Sequence, residues 1–242
     1  VSTYAYLGPV GTFTEAALRQ ITNESDVLIP YSNVTAALDA VRDGKAEKVT
    51  LTNVPSFSYQ LDQTVDVPGY GKIKYDMAFG GNFYAIIPID RIGIEFKREN
   101  GQKFLTAGLA ISDAINQQNR PVHPENPDIA VCHHIDFIAP GNNSLHWKNA
   151  MAIHPGWFDR SPCGTGTSAR LAQMYAKGEF KDNDVLINES WIGSQFEGRI
   201  KSHTKVGNLP AIVPTVTGRA WVMGESTWLL DPSDPFPNGF IV

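Results

Sequence analysis

The 242-residue chain contains only 2 cysteines, too few to form the disulfide framework of a protein this size. A reducing, cytoplasmic setting is therefore the expected one. It has no run of about 18 apolar residues, so no membrane span is expected. Lys and Arg number 20 against 25 Asp and Glu, for a formal charge of −5. No basic cluster interrupts that balance, which excludes the electrostatic footprint of a nucleic-acid binder. The opening Val1-Ser2-Thr3-Tyr4 offers neither a basic region nor an apolar one, so no signal peptide is expected. Low-complexity tracts are missing, and so is any repeat at about 20 to 50 residues.

What is present fits a folded chain. Hydrophobic residues make up 42% and charged residues 19%, enough apolar side chain for a sizeable core. With 21 glycines and 16 prolines, turns are frequent, and short apolar runs between them predict a strand-rich second half.

The first 43 residues read as β-α-β-α. Tyr4 to Leu7 is a short strand entering a turn at Gly8-Pro9. Thr12 and Glu15 have capping-box spacing ahead of a helix through Ala16, Leu18 and Ile21. Val27 to Ile29 is a second strand, and Ser32 or Asn33 can cap a helix carrying Val34, Leu38 and Val41. Gly44 suits the position just past a helix end. Beyond it, strands are expected at 49–54, 65–67, 73–79, 83–89, 129–138 and 151–153. Helices are expected at 101–117 and 168–177, the latter stopped by Gly178, and only short strands and turns from Val185 on.

The chemistry concentrates in Asp159-Arg160-Ser161-Pro162-Cys163-Gly164-Thr165-Gly166-Thr167-Ser168. A thiol just before a helix start faces unpaired N–H groups, which favour the thiolate and lower its pKa. Gly164 and Gly166 allow a ligand close to the backbone. Thr165, Thr167 and the free amides can hold a carboxylate, and Asp159 can accept hydrogen bonds from an amine. Cys132 lies in Ala130-Val131-Cys132-His133-His134. Adjacent strand residues point to opposite faces, and no further ligands stand at zinc-like spacing. Cys132 is read as structural, and no metal site is expected.

Residues 159–171 resemble the proline racemase family, its 4-hydroxyproline epimerase branch in particular. So do Gly44-Lys45-Ala46 through Asn53-Val54-Pro55-Ser56-Phe57, Pro68-Gly69-Tyr70-Gly71, Asp76 through Phe83, and Asp231 through Phe236 with Gly239-Phe240. The resemblance implies an α+β, diaminopimelate-epimerase-like fold, with sheets wrapped around a central helix. It implies racemisation or epimerisation at Cα of proline or 4-hydroxyproline by two cysteines, without metal or other cofactor. Carried over residue by residue, Cys163 is the second acid–base cysteine, Gly164 and Thr165 hold the substrate carboxylate, Asp159 meets the ring nitrogen, and His134 is a substrate-contacting histidine. The small imino acid is the one partner expected, and a homodimer is compatible with it.

The family's first cysteine, in a Met-Cys-Gly-His-Gly type motif, has no counterpart here. Tyr6 to Leu18 instead resembles the opening of prephenate dehydratase, with Val10 where that family has glutamate, and without its downstream Thr-Arg-Phe motif. Residues 1–43 are thus expected to be a dehydratase-like segment and 44–242 the C-terminal part of a racemase-family fold. Three functions stay open: an impaired racemase, an imino-acid-binding domain, and a dehydratase fragment.

Overall fold

In the computed structural model, residues 3–7, 19, 22–45, 48–221, 224, 226, 227, 229–237 and 239 are described. Strand β1 (Thr3–Leu7) pairs in parallel with β2 (Val27–Tyr31), and α1 (Val34–Arg42) follows. Asn33 is the cap: its Oδ1 accepts the Ala36 N–H at 2.8 Å. Gly44 takes φ +71° and closes a Schellman end, with its N–H on Val41 O and that of Lys45 on Ala40 O. The turn at Gly8-Pro9 and the helix expected over 12–21 fall outside the described residues, Arg19 excepted. Through β1, this front unit pairs in parallel with β3 (Lys48–Thr52) and extends the main sheet.

The rest of the chain is built around two helices. β4 (Ser56–Val67), β5 (Gly71–Phe79) and β6 (Phe83–Pro88) form a meander. Then come α2 (Gly101–Gln118), β7 (His134–Pro140), β8 (His146–Ile153) and the two-residue β9 (Trp157–Phe158). Last are α3 (Gly164–Ala176), β10 (Leu186–Glu189), β11 (Gln195–Val206) and β12 (Leu209–Gly218). The sheet runs β11-β10-β8-β7-β6-β5-β4-β12, and a β11–β12 ladder closes it into a ring, with β3-β1-β2 continuing from β12. Inside the ring lies α3, buried without a break from Gly166 to Met174. No exposed residue interrupts that run, its polar members Thr167, Ser168, Arg170 and Gln173 included, because strands pack around it.

Period-two alternation sorts the strand residues between the two helices. Phe83, Ala85 and Ile87 of β6 and Ile135 and Phe137 of β7 face outward onto α2, around Phe104, Ala107, Ile111 and Ile115. Full burial of one such side chain is worth roughly 1.5–3 kcal/mol. Tyr84 and Ile86 of β6, Ile138 of β7, and Met151 and Ile153 of β8 face inward with Cys163. Both faces of these strands are therefore covered.

Several element bounds differ from the sequence reading. Helix α3 begins four residues earlier than expected, directly after Cys163. The strand expected from residue 129 begins only at His134, so Cys132 precedes it. Instead of short strands after Val185, β11 and β12 are 12 and 10 residues long, joined by Gly207-Asn208. Pro210 and Pro214 hide β12 in the sequence. Pro214 sits where β12 changes partner from β4 to β3, a position that loses nothing by lacking an N–H.

Candidate active site

The start of α3 is fixed from both sides before Cys163 is reached. Asp159 Oδ1 accepts the Ser161 N–H at 2.9 Å and its hydroxyl at 3.0 Å. Ser161 Oγ in turn accepts the Cys163 N–H at 3.0 Å. Pro162 O receives the side-chain amides of Asn149 and Asn188. Thus held, Cys163 adopts φ +66°, a conformation costing a residue with a side chain of order 1–3 kcal/mol. In this pose its sulfur folds back over the helix start and accepts the Gly166 N–H at 3.4 Å. A Cβ on Gly166 would lie 3.1 Å from that sulfur and 2.7 Å from Met151 Cε, so the glycine makes room for the pose.

The turn between β5 and β6 clamps the same helix end. A Cβ on Gly80 would stand 2.1 Å from Thr165 O and 2.6 Å from Ala169 N. Asn53 donates to Gly80 O at 2.9 Å and to Ser168 Oγ at 2.8 Å, tying turn, helix and the end of β3 together.

Above this floor lies a cavity of about 510 Å³. Ser161, Gly164 and Thr165 line it from below, Asn53, Phe196 and Arg219 from the sides. The amides of Gly164 and Thr165 are the first two of the helix and have no intrahelical carbonyl to bond. A Cβ on Gly164 would meet nothing within 4 Å, so the floor there is bare.

Beneath the floor, Cys163 is 5% exposed. Its sulfur lies 3.3 Å from the hydroxyl of the fully buried Tyr84 and 3.7 Å from Thr165 Oγ1. Tyr84 Oη and Thr165 Oγ1 are 2.5 Å apart. His134 stands beside Tyr84 in the β6–β7 ladder, with ring centroids 4.8 Å apart, and its Nδ1 is buried without a hydrogen-bond partner.

The electrostatics correct the sequence reading. Burial pushes the Cys163 thiol up to about 11, and the Asp159 charge adds to that. Bonds from Tyr84, Gly166 and Thr165 oppose them without prevailing. The helix start does favour thiolate, but desolvation outweighs it. Burial, then the neighbouring His133, push His134 down to about 4, with Asp159 opposing. At neutral pH the site therefore holds a thiol, two hydroxyls and an uncharged imidazole.

The structure thus gathers Cys163, Thr165 and His134 around Tyr84 and places Gly164 on the cavity floor. Asp159 is half-buried, bound to Ser161, and close enough to shift both Cys163 and His134. Cys132 lies on the α2 side, fully buried and pushed up to about 12 by burial. Sequence reasoning passed over Tyr84, Asn53 and Arg219. Asn53 falls inside a quoted family stretch, Asn53-Val54-Pro55, and Tyr84 lies one residue past another, Gly80-Gly81-Asn82-Phe83. Among the described residues no group of three His, Cys, Asp or Glu gathers as metal ligands. No helix among them is long and apolar enough to cross a membrane.

Strands closed around one buried helix, with a cavity at that helix's N-terminus, define a diaminopimelate-epimerase-like α+β fold. The family model described as "Proline racemase" matches residues 17–241, and this chain belongs to the proline racemase family. It is 59% identical over 202 residues to the 4-hydroxyproline 2-epimerase of Streptosporangium roseum, covering 84% of this chain and 61% of that one. To the proline racemase of Clostridioides difficile it is 38% identical over 203 residues, 84% and 61% of the two chains. The crystal structure of a hydroxyproline epimerase from Agrobacterium vitis, with bound trans-4-hydroxy-L-proline, superposes with TM-score 0.72 at 37% identity, over 83% of this chain and 58% of that one. The chain thus spans about three-fifths of the length of these relatives. The family match begins inside the front segment, at residue 17.

Proposed function

We propose that the chain carries one face of a cofactor-independent racemase or epimerase site for proline or 4-hydroxyproline. The observation that carries this reading is the Cys163 sulfur, held at a helix start whose first residues, Gly164 and Thr165, line the cavity. In it, the amides of Gly164 and Thr165 take the substrate carboxylate, Asp159 meets the ring nitrogen, and His134 meets the ring. Cys163 exchanges the α-proton from below. The resting thiol is the form that delivers a proton. Removing one requires the thiolate, whose share grows tenfold per pH unit below about 11.

A second reading is supported by the placement of the other thiol. Cys132 packs against α2 and cannot serve the opposite face of a substrate over Cys163. One thiol binds an imino acid and exchanges its α-proton, but inversion needs a second group across the ring. We therefore propose that this chain binds and exchanges more readily than it inverts.

Residues 1–43 are proposed as an appended segment, their dehydratase-like opening included. Among the described residues none of them lines the cavity. No phenylpyruvate is expected from prephenate. A cytoplasmic location belongs to the same proposal.

Pyrrole-2-carboxylate, planar at the carbon that corresponds to Cα, is the probe for the site. Calorimetry should give saturable binding that Gly164→Ala weakens. No heat and no thermal shift at millimolar ligand would remove the proposal.

A further inference from the structure

Tyr84 is a buried group in contact with the Cys163 sulfur that the proposed chemistry has not used. Its position follows from strand alternation, which turns it inward between Phe83 and Ala85, both facing α2. Its hydroxyl has two neighbours, Cys163 Sγ at 3.3 Å and Thr165 Oγ1 at 2.5 Å. A phenol has one proton to donate and lone pairs to accept with. When Cys163 is a thiol, its S–H can donate to Tyr84, whose own proton goes to Thr165. When Cys163 is a thiolate, Tyr84 can donate to sulfur while the Thr165 hydroxyl donates to Tyr84. In either state the Tyr84 hydroxyl both donates and accepts, so the sulfur can change protonation without stranding the buried phenol.

We infer that Tyr84 is the positioning residue that sets the acid–base strength of Cys163, by turning its hydroxyl between sulfur and Thr165 as the thiol proton leaves and returns. The inference rests on the reading of Cys163 as the acid–base group. Other groups acting on the sulfur are the Asp159 charge and the Gly166 N–H. From β7, His134 and Asp136 face the same space, Asp136 acting on Tyr84. His134 is uncharged above about pH 4, and Asp136 titrates near 7. In the window from pH 8 to 11 neither changes charge, and Arg170, lowered to about 10 beside Asp136, is not among the groups acting on the sulfur.

The experiment is the pH profile of Cys163 alkylation by iodoacetamide, read by peptide mass spectrometry on the full chain. Tyr84→Phe keeps the ring against His134 and removes only the hydroxyl. It should move the Cys163 profile upward by about one unit, a tenfold slower reaction at a fixed pH in the window, as expected for losing a hydrogen bond to a charged group. The chain grown with 3-fluorotyrosine keeps all side-chain shapes and makes the phenol a stronger donor. Its profile should move downward by a few tenths of a unit. A packing defect would not produce opposite shifts in the two proteins. Profiles that coincide in all three overturn the role of Tyr84 and leave Cys163 as the acid–base group. If Tyr84→Phe fails to fold, the fluorinated chain decides alone: an unmoved or raised profile overturns the inference. No labelling of Cys163 at any pH in the unsubstituted chain would remove the acid–base reading, and this inference with it.

Discussion

The two ends of α3 handle buried polar groups in opposite ways. Toward its C-terminal half, charge is answered by charge. Arg170, 2% exposed, bonds Gln173 and stacks over Trp147 with 4.4 Å to the ring centroid. Gln173 reaches Asp76 at 2.5 Å, and Lys177 at the helix end reaches the same carboxylate at 3.1 Å, placing a cation where the helix dipole is negative. At the N-terminal end the same enclosure gathers a thiol, hydroxyls, a neutral imidazole and open amides, with the Asp159 carboxylate close by. One end uses most of its bonding capacity within the protein, Arg170 Nε excepted; the other leaves open the helix amides proposed to hold a carboxylate. The comparison separates what holds the fold from what serves a ligand, and each prediction below acts at one end.

The largest expected effect is at the charged end. Arg170→Ala removes the cation near Asp136 and the partner of Gln173. It should cost about 3–5 kcal/mol, the range for breaking a buried charge network, read from urea midpoints at unchanged slope. A loss below about 1 kcal/mol would break the comparison, since the network would then be dispensable.

Next come two glycines at the other end. Gly80→Ala drives a methyl into the Thr165 carbonyl and should cost about 1–3 kcal/mol, with weaker binding of pyrrole-2-carboxylate. Gly164→Ala meets nothing. It should leave stability within about 0.5 kcal/mol while still lowering affinity, because the methyl stands on the cavity floor. Equal effects of the two on stability would blur the distinction between scaffold and ligand surface.

A smaller effect separates two residues of one strand. Burial holds Asp136 up to about 7 from 3.8, with Arg170 opposing. Between those values the folded chain keeps a proton the unfolded chain has released, so Asp136 makes stability fall as pH rises from about 4 to 7. His134 works in reverse. Its folded value, about 4 against 6.5, makes stability rise over that interval. Asp136→Asn should uncover the histidine slope, His134 together with His133, which burial also lowers: stability rising to about pH 6.5 and level above it, read by chemical denaturation at each pH. A fall toward pH 7 that persists in the variant would place the titrating acid elsewhere.

The smallest is a rate difference between the thiols. Iodoacetamide should modify Cys163, beside the cavity and raised to about 11, before Cys132, fully enclosed and raised to about 12. Equal or reversed rates would undo the assignment.

Much of this was legible in the sequence, and the exceptions share a cause. The span of α2, both glycine helix stops and the cysteine at a helix start follow from local spacing and local chemistry. The span of α2 does not say which of its faces packs; Phe104, Ala107, Ile111 and Ile115 are among its buried positions. Enclosure decided that, and a near-featureless helix pattern does not reveal which side is covered. The raised Cys163 pKa was missed for a related reason. Helix-start amides are visible in sequence, but the desolvation that outweighs them comes from β6, β7 and β8 folding over the sulfur. Tyr84 escaped notice because an aromatic residue in an apolar strand reads as core, and only the inward turn of that strand sets its hydroxyl on the sulfur.

The central claim is that this chain offers one working face to an imino acid. Its most direct test is the NMR of L-proline and trans-4-hydroxy-L-proline incubated with the chain in D₂O, beside a Cys163→Ser control. The account predicts deuterium entering Cα with configuration retained, at a rate rising with pD toward the thiol's pKa. In the control that rate should fall by about 10²–10⁴-fold, the usual loss on removing a positioned acid or base. Inversion at several turnovers per second, abolished by the same substitution, would contradict it and show a second proton donor facing Cys163.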